Sequence, residues 1–235
     1  MTQGLLMMIS TSTKRISLAL PISGLMLATA MVWPAVAQDQ NEFPGRRIGG
    51  GTRGGCVINA AGVIAINPEN NLGVTQREAP TLYFAVPATA EPYQVTFYLE
   101  TEDAEPLYET TVAAGDKAEL IGVQLPADTL TAGEYYPWSF AANCDETNPA
   151  TAIVVNGWLQ QTALDSEAIA EAESPLAQVQ AYQAAGLWSD AIALTAELLA
   201  ANPDCEEYQA QWSALLEALG LEQAIDAPMS VRLPM

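Results

Sequence analysis

Between residues 62 and 161 the chain keeps returning to one pattern, apolar residues alternating with polar ones at a period of two. It is clearest where Tyr93, Val95, Phe97 and Leu99 alternate with Gln94, Thr96, Tyr98 and Glu100. A period of two places alternate side chains on opposite faces, so this run reads as a half-buried antiparallel strand. Similar runs recur at 62–66, 80–86, 107–112, 119–125, 134–144 and 152–161, separated by Pro, Gly, Asn and Asp. Strands at this spacing predict an antiparallel β-sandwich of immunoglobulin-like character over residues 56–161. Tyr136, Trp138, Phe140, Ala142 and Cys144 fall on one face of one strand. Pro137 has no N–H to give to a ladder, which assigns it to an edge or a bulge.

After residue 161 the period changes. Residues 162–221 are rich in Ala, Leu, Glu and Gln, and Tyr182, Gly186, Trp188, Ala191, Leu198 and Pro203 stand at the spacing of a tetratricopeptide unit. A third helix follows, with Tyr208, Trp212, Leu215 and Leu219 on one face, Asp204 as its N-cap and Gly220 as its stop. One such unit cannot bury its own apolar face, so it must pack on the sandwich, on the third helix or on another protein. The fold class is therefore α+β in several parts: a sandwich, a tetratricopeptide-like segment of about three helices, and a tail at 222–235.

The first 37 residues hold no Asp or Glu. They run from Lys14 and Arg15 through an apolar stretch, Ile16 to Met31, to Ala35-Val36-Ala37. Cations, a short apolar run and an A-x-A site are the parts of a secretory signal peptide. Pro21 and Gly24 interrupt the run, which is shorter than the roughly 20 residues of a bilayer span. This predicts export to the periplasm or beyond the cell, with no stable membrane span after cleavage. The full sequence carries a formal charge of −20, and cleavage after Ala37 would remove two cations and no acid. Such a charge repels nucleic acid and argues against it as a partner. Residues 38–55 follow neither period, and five of the seven residues from Gly49 to Gly55 are glycine, which reads as a flexible tether.

There is no histidine. Ser-His-Asp and Cys-His catalysis are thereby excluded in their ordinary forms, and the commonest ligand of zinc, copper or iron is missing. We expect neither a metal nor a cofactor. The three cysteines are Cys56, Cys144 and Cys205. In an oxidising compartment one disulfide and one free thiol is the default. Cys56 lies where the tether enters the first strand and Cys144 at the end of the aromatic strand, so this pair would pin the glycine-rich segment to the sandwich; a redox switch is the alternative. Cys205 is then left over, as a small buried apolar residue or, second, as a thiol that pairs with another chain.

The stretch GRRIGGGTRGGC at 45–56 contains G-x-G-x-x-G, but a dinucleotide fingerprint needs a strand before it and a helix after it. Its arginines are the more useful feature. Arg46, Arg47 and Arg53 are three of eight basic residues, and form a basic patch that would hold an acidic glycan, a phospholipid head group or a partner's carboxylates, unless they fold back on the protein's own acids. Trp158 shares a strand face with Val154, Asn156 and Gln160 and is the tryptophan expected in solvent, as a sugar-stacking ring. The run Asn143 to Asn148 gathers oxygen ligands without matching a calcium loop, and Glu100, Glu102, Asp103 and Glu105 read as a polar hairpin turn.

The blocks R-x-G-G-G-T-R-G-G-C at Arg47 to Cys56, A-P-T-L-Y-F-A-V-P at Ala79 to Pro87, Y-x-W-x-F-x-x-N-C-D at Tyr136 to Asp145, N-G-W at Asn156 to Trp158, and G-L-W-S-D-A at Gly186 to Ala191 together resemble a cyanobacterial family. That family is known only as a domain of unknown function, the one numbered 928. The resemblance runs over nearly the whole chain after the signal peptide. It implies an exported cyanobacterial protein of this organisation and brings no catalytic residues with it.

Two functions stand side by side. One is a non-enzymatic interaction module that docks a protein partner at the cell envelope, motivated by the helical unit and the lack of any nucleophile constellation. The other is carbohydrate-active, either a binding module or a hydrolase that uses carboxylates alone.

Overall fold

The structure, a computed structural model, describes residues 43–49, 62–143, 152–163, 167–224 and 230–232. Ten strands form two five-stranded sheets. The first has the order β1 (Ile48–Gly49), β2 (Val63–Ala65), β4 (Thr81–Val86), β7 (Glu119–Gln124), β10 (Ser230–Arg232). The second has the order β3 (Leu72–Thr75), β9 (Ile153–Gln161), β8 (Tyr135–Asn143), β5 (Tyr93–Glu100), β6 (Pro106–Ala114). Helices α1 (Glu167–Ala170), α2 (Pro175–Ala184), α3 (Trp188–Ala201) and α4 (Glu206–Ala218) follow β9. The class is mixed α and β.

The two sheets share one core. Val63, Phe84, Val86, Ile121 and Val123 of the first meet Val95, Phe97, Leu99, Trp138, Phe140, Val155 and Leu159 of the second. Phe84 is its centre: it stacks on Phe140 with centroids 4.0 Å apart and meets the edge of Trp138 at 5.5 Å. Strands β5, β8 and β9 alternate buried and partly exposed residues, as their period of two requires.

Strands β4 and β7 do not alternate; nearly every residue in them is buried. Their other face is covered by the helices. Ile64, Ile66, Tyr83, Ala85 and Leu120 of the first sheet form a second core with Val179, Leu187, Ala191, Ile192, Trp212 and Leu215. The run Leu82-Tyr83-Phe84-Ala85-Val86 is the sequence mark of this, because a strand covered on both sides needs apolar residues on both. The described residues form three layers, and the apolar face of the helical unit lies on the first sheet.

Several expectations change. The sandwich was expected to be antiparallel throughout with seven strands, yet β3 pairs parallel with β9 and β10 parallel with β7. The additional strands β1, β3 and β10 have two to four residues, too few for a period to register. Pro137 sits just beyond the last β5–β8 pair, Leu99 with Trp138, where β8 has β9 alone as a neighbour. Asp204 does not cap α4; Cys205 is the N-cap residue and makes no side-chain cap bond. Cys205 is also half-buried rather than buried.

The tether boundary also shifts, since residues 43–49 are bound to both sheets. The Phe43 N–H donates to the Asn70 carbonyl (3.0 Å), and Arg46 exchanges backbone bonds with Asn156 (3.1 and 3.0 Å). Ile48 and Gly49 pair with β2. Glycine here serves close approach rather than freedom: a Cβ on Gly49 would lie 2.5 Å from Ile153 Cγ2.

Glycine serves its other role at the helix ends. Gly186 (φ +75°) follows α2, and Leu187 N–H reaches back to the Tyr182 carbonyl (2.9 Å) while Gly186 N–H reaches Gln183 (3.0 Å). Gly220 (φ +65°) ends α4 in the same way, with Leu221 N–H on Leu216 (2.8 Å). Both are Schellman caps that satisfy the last carbonyls of a helix.

Candidate functional site

Successive residues of an extended chain point to opposite sides, and this divides the arginine pair. Arg46 is exposed and its Nη2 donates to the Val154 carbonyl of β9 (2.8 Å). Arg47 points inward, and its Nη1 donates to the carbonyls of Asn67 (3.0 Å) and Leu219 (2.6 Å). Leu219 is the C-cap of α4, where unpaired carbonyls gather the negative end of the helix dipole. Burial holds the Arg47 guanidinium below its usual range, with the charge of Glu69 opposing. The partners of both side chains are therefore backbone carbonyls, not carboxylates, and the two do not assemble one outward patch. Arg53, Cys56, Cys144 and residues 144–148 lie outside the described residues.

Trp158 is half-buried on the outer face of the second sheet. The N-terminal segment explains why. Trp158 Nε1 donates to the Pro44 carbonyl (3.0 Å), and the Phe43 ring lies 5.6 Å from Trp158 and 5.1 Å from Tyr135. Three rings thus meet at the surface, with Asn156 and Gln160 on the same strand face and Arg46 beside them. Phe43 and Tyr135 were not singled out from sequence; the alternation of β8 with β9 places Tyr135 opposite Gln160, but nothing local tells that Phe43 folds back onto it.

A second constellation is buried. Asn67, Asn71, Thr75, Thr81, Ser189 and Asp190 collect where the β3 edge, the end of β2 and the start of α3 meet. Asp190 is fully buried. One carboxylate oxygen accepts from Thr75 Oγ1 (2.5 Å) and the other from the Gln76 N–H (2.8 Å), with Arg77 Nε at 3.9 Å. Arg77 Nη1 in turn donates to Glu197 (2.6 Å). Burial pushes the Asp190 carboxyl up, against the pull of Thr75, Gln76 and Arg77. For Arg77 burial acts downward, but Glu197 and Asp190 outweigh it and hold the guanidinium above its usual range. Burial likewise pushes the Tyr83 phenol up.

This junction has no room for a substrate. The space lined by Asn67, Thr81, Tyr83, Trp138 and Ser189 is about 10 Å³, about the least that holds one water. Four of the five blocks that carry the family resemblance contribute to it, through Thr81 and Tyr83, Trp138, Gly157, and Ser189 and Asp190. Gly157 is required there, since a Cβ would lie 2.5 Å from Trp138 Cζ2 and 2.8 Å from Asn71 Oδ1. Its chemistry is that of a clasp between three layers. From sequence, Asp190 shows only as an acid in the first turn of a helix, which is its commonest and most exposed setting.

For carboxylate catalysis two acids must face each other across a cleft. Glu100, Glu102, Asp103 and Glu105 are exposed around a turn closed by Thr101 and Glu105, and Asp190 is sealed. An open groove of about 620 Å³ lies elsewhere, lined by Ala90, Pro92, Gly115, Asp116, Lys117 and Glu119 among others. Among the described residues no three Cys, Asp or Glu are placed to hold a metal ion. No described helix is long and apolar enough to cross a membrane.

No curated protein matches the chain. Among solved structures, the crystal structure of the C-terminal domain of wzt is similar at 15% identity, over 40% of this chain and 64% of that one, with a TM-score of 0.29. The match thus spans slightly less than two thirds of that structure, and at that TM-score it carries no argument about this fold or its role. A family model matches residues 48–229, which takes in every strand but β10 and all four helices. The chain belongs to the family described as Domain of Unknown Function (DUF928).

Proposed function

We propose that this protein is an exported, non-catalytic carbohydrate-binding module whose binding surface is the outer face of the second sheet. The observation that carries the reading is the surface cluster of Phe43, Tyr135 and Trp158 beside the amides of Asn156 and Gln160 and the Arg46 guanidinium. Aromatic faces take the C–H faces of a sugar ring, and amides and a guanidinium take its hydroxyls. The rest of that face is of the same kind, with Thr96, Thr111, Ser139 and Gln94 exposed or half-exposed. A neutral glycan fits better than an acidic one, because Arg47 faces inward and the whole chain carries −20.

Docking of a protein partner at the envelope rests on the helical unit and the lack of any nucleophile constellation. The helical unit packs on Ile64, Ile66, Tyr83, Ala85 and Leu120 of the first sheet, so its apolar face is not what such a partner would meet. Hydrolysis by carboxylates lacks a facing pair among the described residues. In the finer reading of the fold, the two sheets are immunoglobulin-like, and α2 and α3, with Gly186 between them and Pro203 after them, are one tetratricopeptide-like unit.

A glycan array probed with the full chain, followed by titration of tryptophan fluorescence, tests this. Tyr135→Ala and Trp158→Ala should each weaken binding by about tenfold, at an unchanged melting temperature for Tyr135→Ala. An array blank for neutral and acidic glycans alike, or binding indifferent to both substitutions, refutes it.

A further inference from the structure

Strand β2 leaves its neighbour β4 early. The described pairing between them ends where the Ile66 N–H donates to the Tyr83 carbonyl (2.9 Å), while β4 extends beyond that point to Leu82 and Thr81. The space of about 10 Å³ lies beside this stretch. Phe84 and Trp138 line it from the sandwich core, and Tyr83, Ser189 and Ile192 from the helical side.

Two of these side chains carry a buried polar atom with no hydrogen-bond partner among the described residues: Tyr83 Oη, in a residue 2% exposed, and Trp138 Nε1, in one 3% exposed. Native proteins leave few such atoms dry, because an unmade bond in the interior costs more than a made one contributes. The surroundings are polar too. A Cβ on Gly157 would lie near Trp138 Cζ2 (2.5 Å), Asn71 Oδ1 (2.8 Å) and Asn67 Nδ2 (3.0 Å), and one on Gly73 near Ser189 Oγ (2.6 Å) and Asn67 Oδ1 (3.1 Å). The indole, the two amides and the Ser189 hydroxyl are therefore close neighbours.

The chemistry of the donors narrows the occupant. An indole N–H only donates, so it turns the wrong pole toward a cation. The sealed Asp190 carboxylate stands next to Ser189 in the chain, and the whole chain carries −20, which disfavours an anion. The volume admits about one water and nothing larger.

We propose that this space is a binding site for one structural water, which accepts from the Trp138 indole N–H and bonds to the Tyr83 phenol, with Thr81, Ser189 and Asn67 as further polar partners. A buried water typically makes about three hydrogen bonds. Here they come from three layers: Tyr83 of the first sheet, Trp138 of the second and Ser189 of α3. The water completes the clasp where β2 has parted from β4.

Water-selective NOE and ROE spectra of the full chain, with the Trp138 indole proton sequentially assigned, test this at one atom. A water held for longer than the tumbling time gives NOE and ROE cross-peaks of opposite sign, and we expect such a pair at that proton. Tyr83→Phe keeps the ring and removes only the hydroxyl, so its effect on stability has a decisive sign. With the phenol held by water, the melting temperature falls by about 1–6 °C; deletion of a dry orphan would raise it. Titration with bromide should leave the indole signal in place. An indole proton without the water cross-peaks, a Tyr83→Phe protein that melts at or above wild type, or an indole signal that moves with bromide overturns the proposal.

Discussion

Replacing Asp190 tests whether the buried junction is a clasp. In Asp190→Ala the Gln76 N–H loses its acceptor and Thr75 Oγ1 loses its bond, while Arg77 keeps Glu197. An orphaned donor costs about 1–3 kcal/mol and the second bond about 1 kcal/mol, so a loss of about 2–4 kcal/mol is expected. For a chain of this size that lowers the melting temperature by roughly 5–15 °C. Asp190→Asn should lose less than half as much, because an amide can still accept from Gln76 and donate to Thr75. The pH dependence has a definite sign. The folded carboxyl is raised above 3.8, so between that value and its folded pKa the folded state holds more protons than the unfolded one. The stability that protonated Asp190 confers is present below this window and is lost as pH rises through it. Urea unfolding followed by tryptophan fluorescence, at pH 7 and near pH 4, should show wild type gaining on Asp190→Asn as the solution is acidified. Each protein is compared at the same pH, which removes the other carboxylates from the difference. An Asp190→Ala protein within about 0.5 kcal/mol of wild type would sink the clasp. Wild type losing ground to Asp190→Asn on acidification would mean that Arg77 outweighs burial.

Arg47→Met should cost about 1–3 kcal/mol and speed amide exchange in the last turn of α4, since both carbonyls lose a charged donor, whereas Arg46→Met should cost under about 0.5 kcal/mol. Thermal unfolding and hydrogen exchange decide between them; equal costs would contradict the division of the pair. Gly186→Ala and Gly157→Ala separate two uses of glycine. At Gly186 a Cβ would meet nothing within 4 Å, so only the left-handed backbone is strained, at about 1 kcal/mol. At Gly157 the Cβ would press on Trp138 and Asn71, and a loss of about 3 kcal/mol or poor folding is expected. Melting temperatures in the reverse order would refute the assignment.

Much of the fold is legible in the chain because its signals are local. A period of two marks β5, β8 and β9, and the apolar run in β4 carries the mark of burial on both faces, although only the helices above it explain why. Gly186 and Gly220 announce helix ends because few other residues take φ near +70° without strain. The site is less legible. Arg46, Arg47 and Trp158 stand out in sequence, but whether they gather depends on where Phe43, Leu219 and Asn156 arrive from far along the chain.

The sequence by itself determined the order of the long strands before the helices, the stop at Gly220, the alternation that gives the second sheet its core face, and the exclusion of histidine chemistry. Each follows from one residue's conformational range or from neighbours a few positions apart. Only the tertiary structure decided that the helical face lies on the first sheet, that a glycine-rich stretch is partly bound rather than loose, and that Arg47 holds a helix end. It also decided that Asp190, an ordinary first-turn acid by position, is sealed. Those outcomes depend on contacts between residues about 100 or more positions apart, such as Arg47 with Leu219 or Thr75 with Asp190, and no local pattern encodes them.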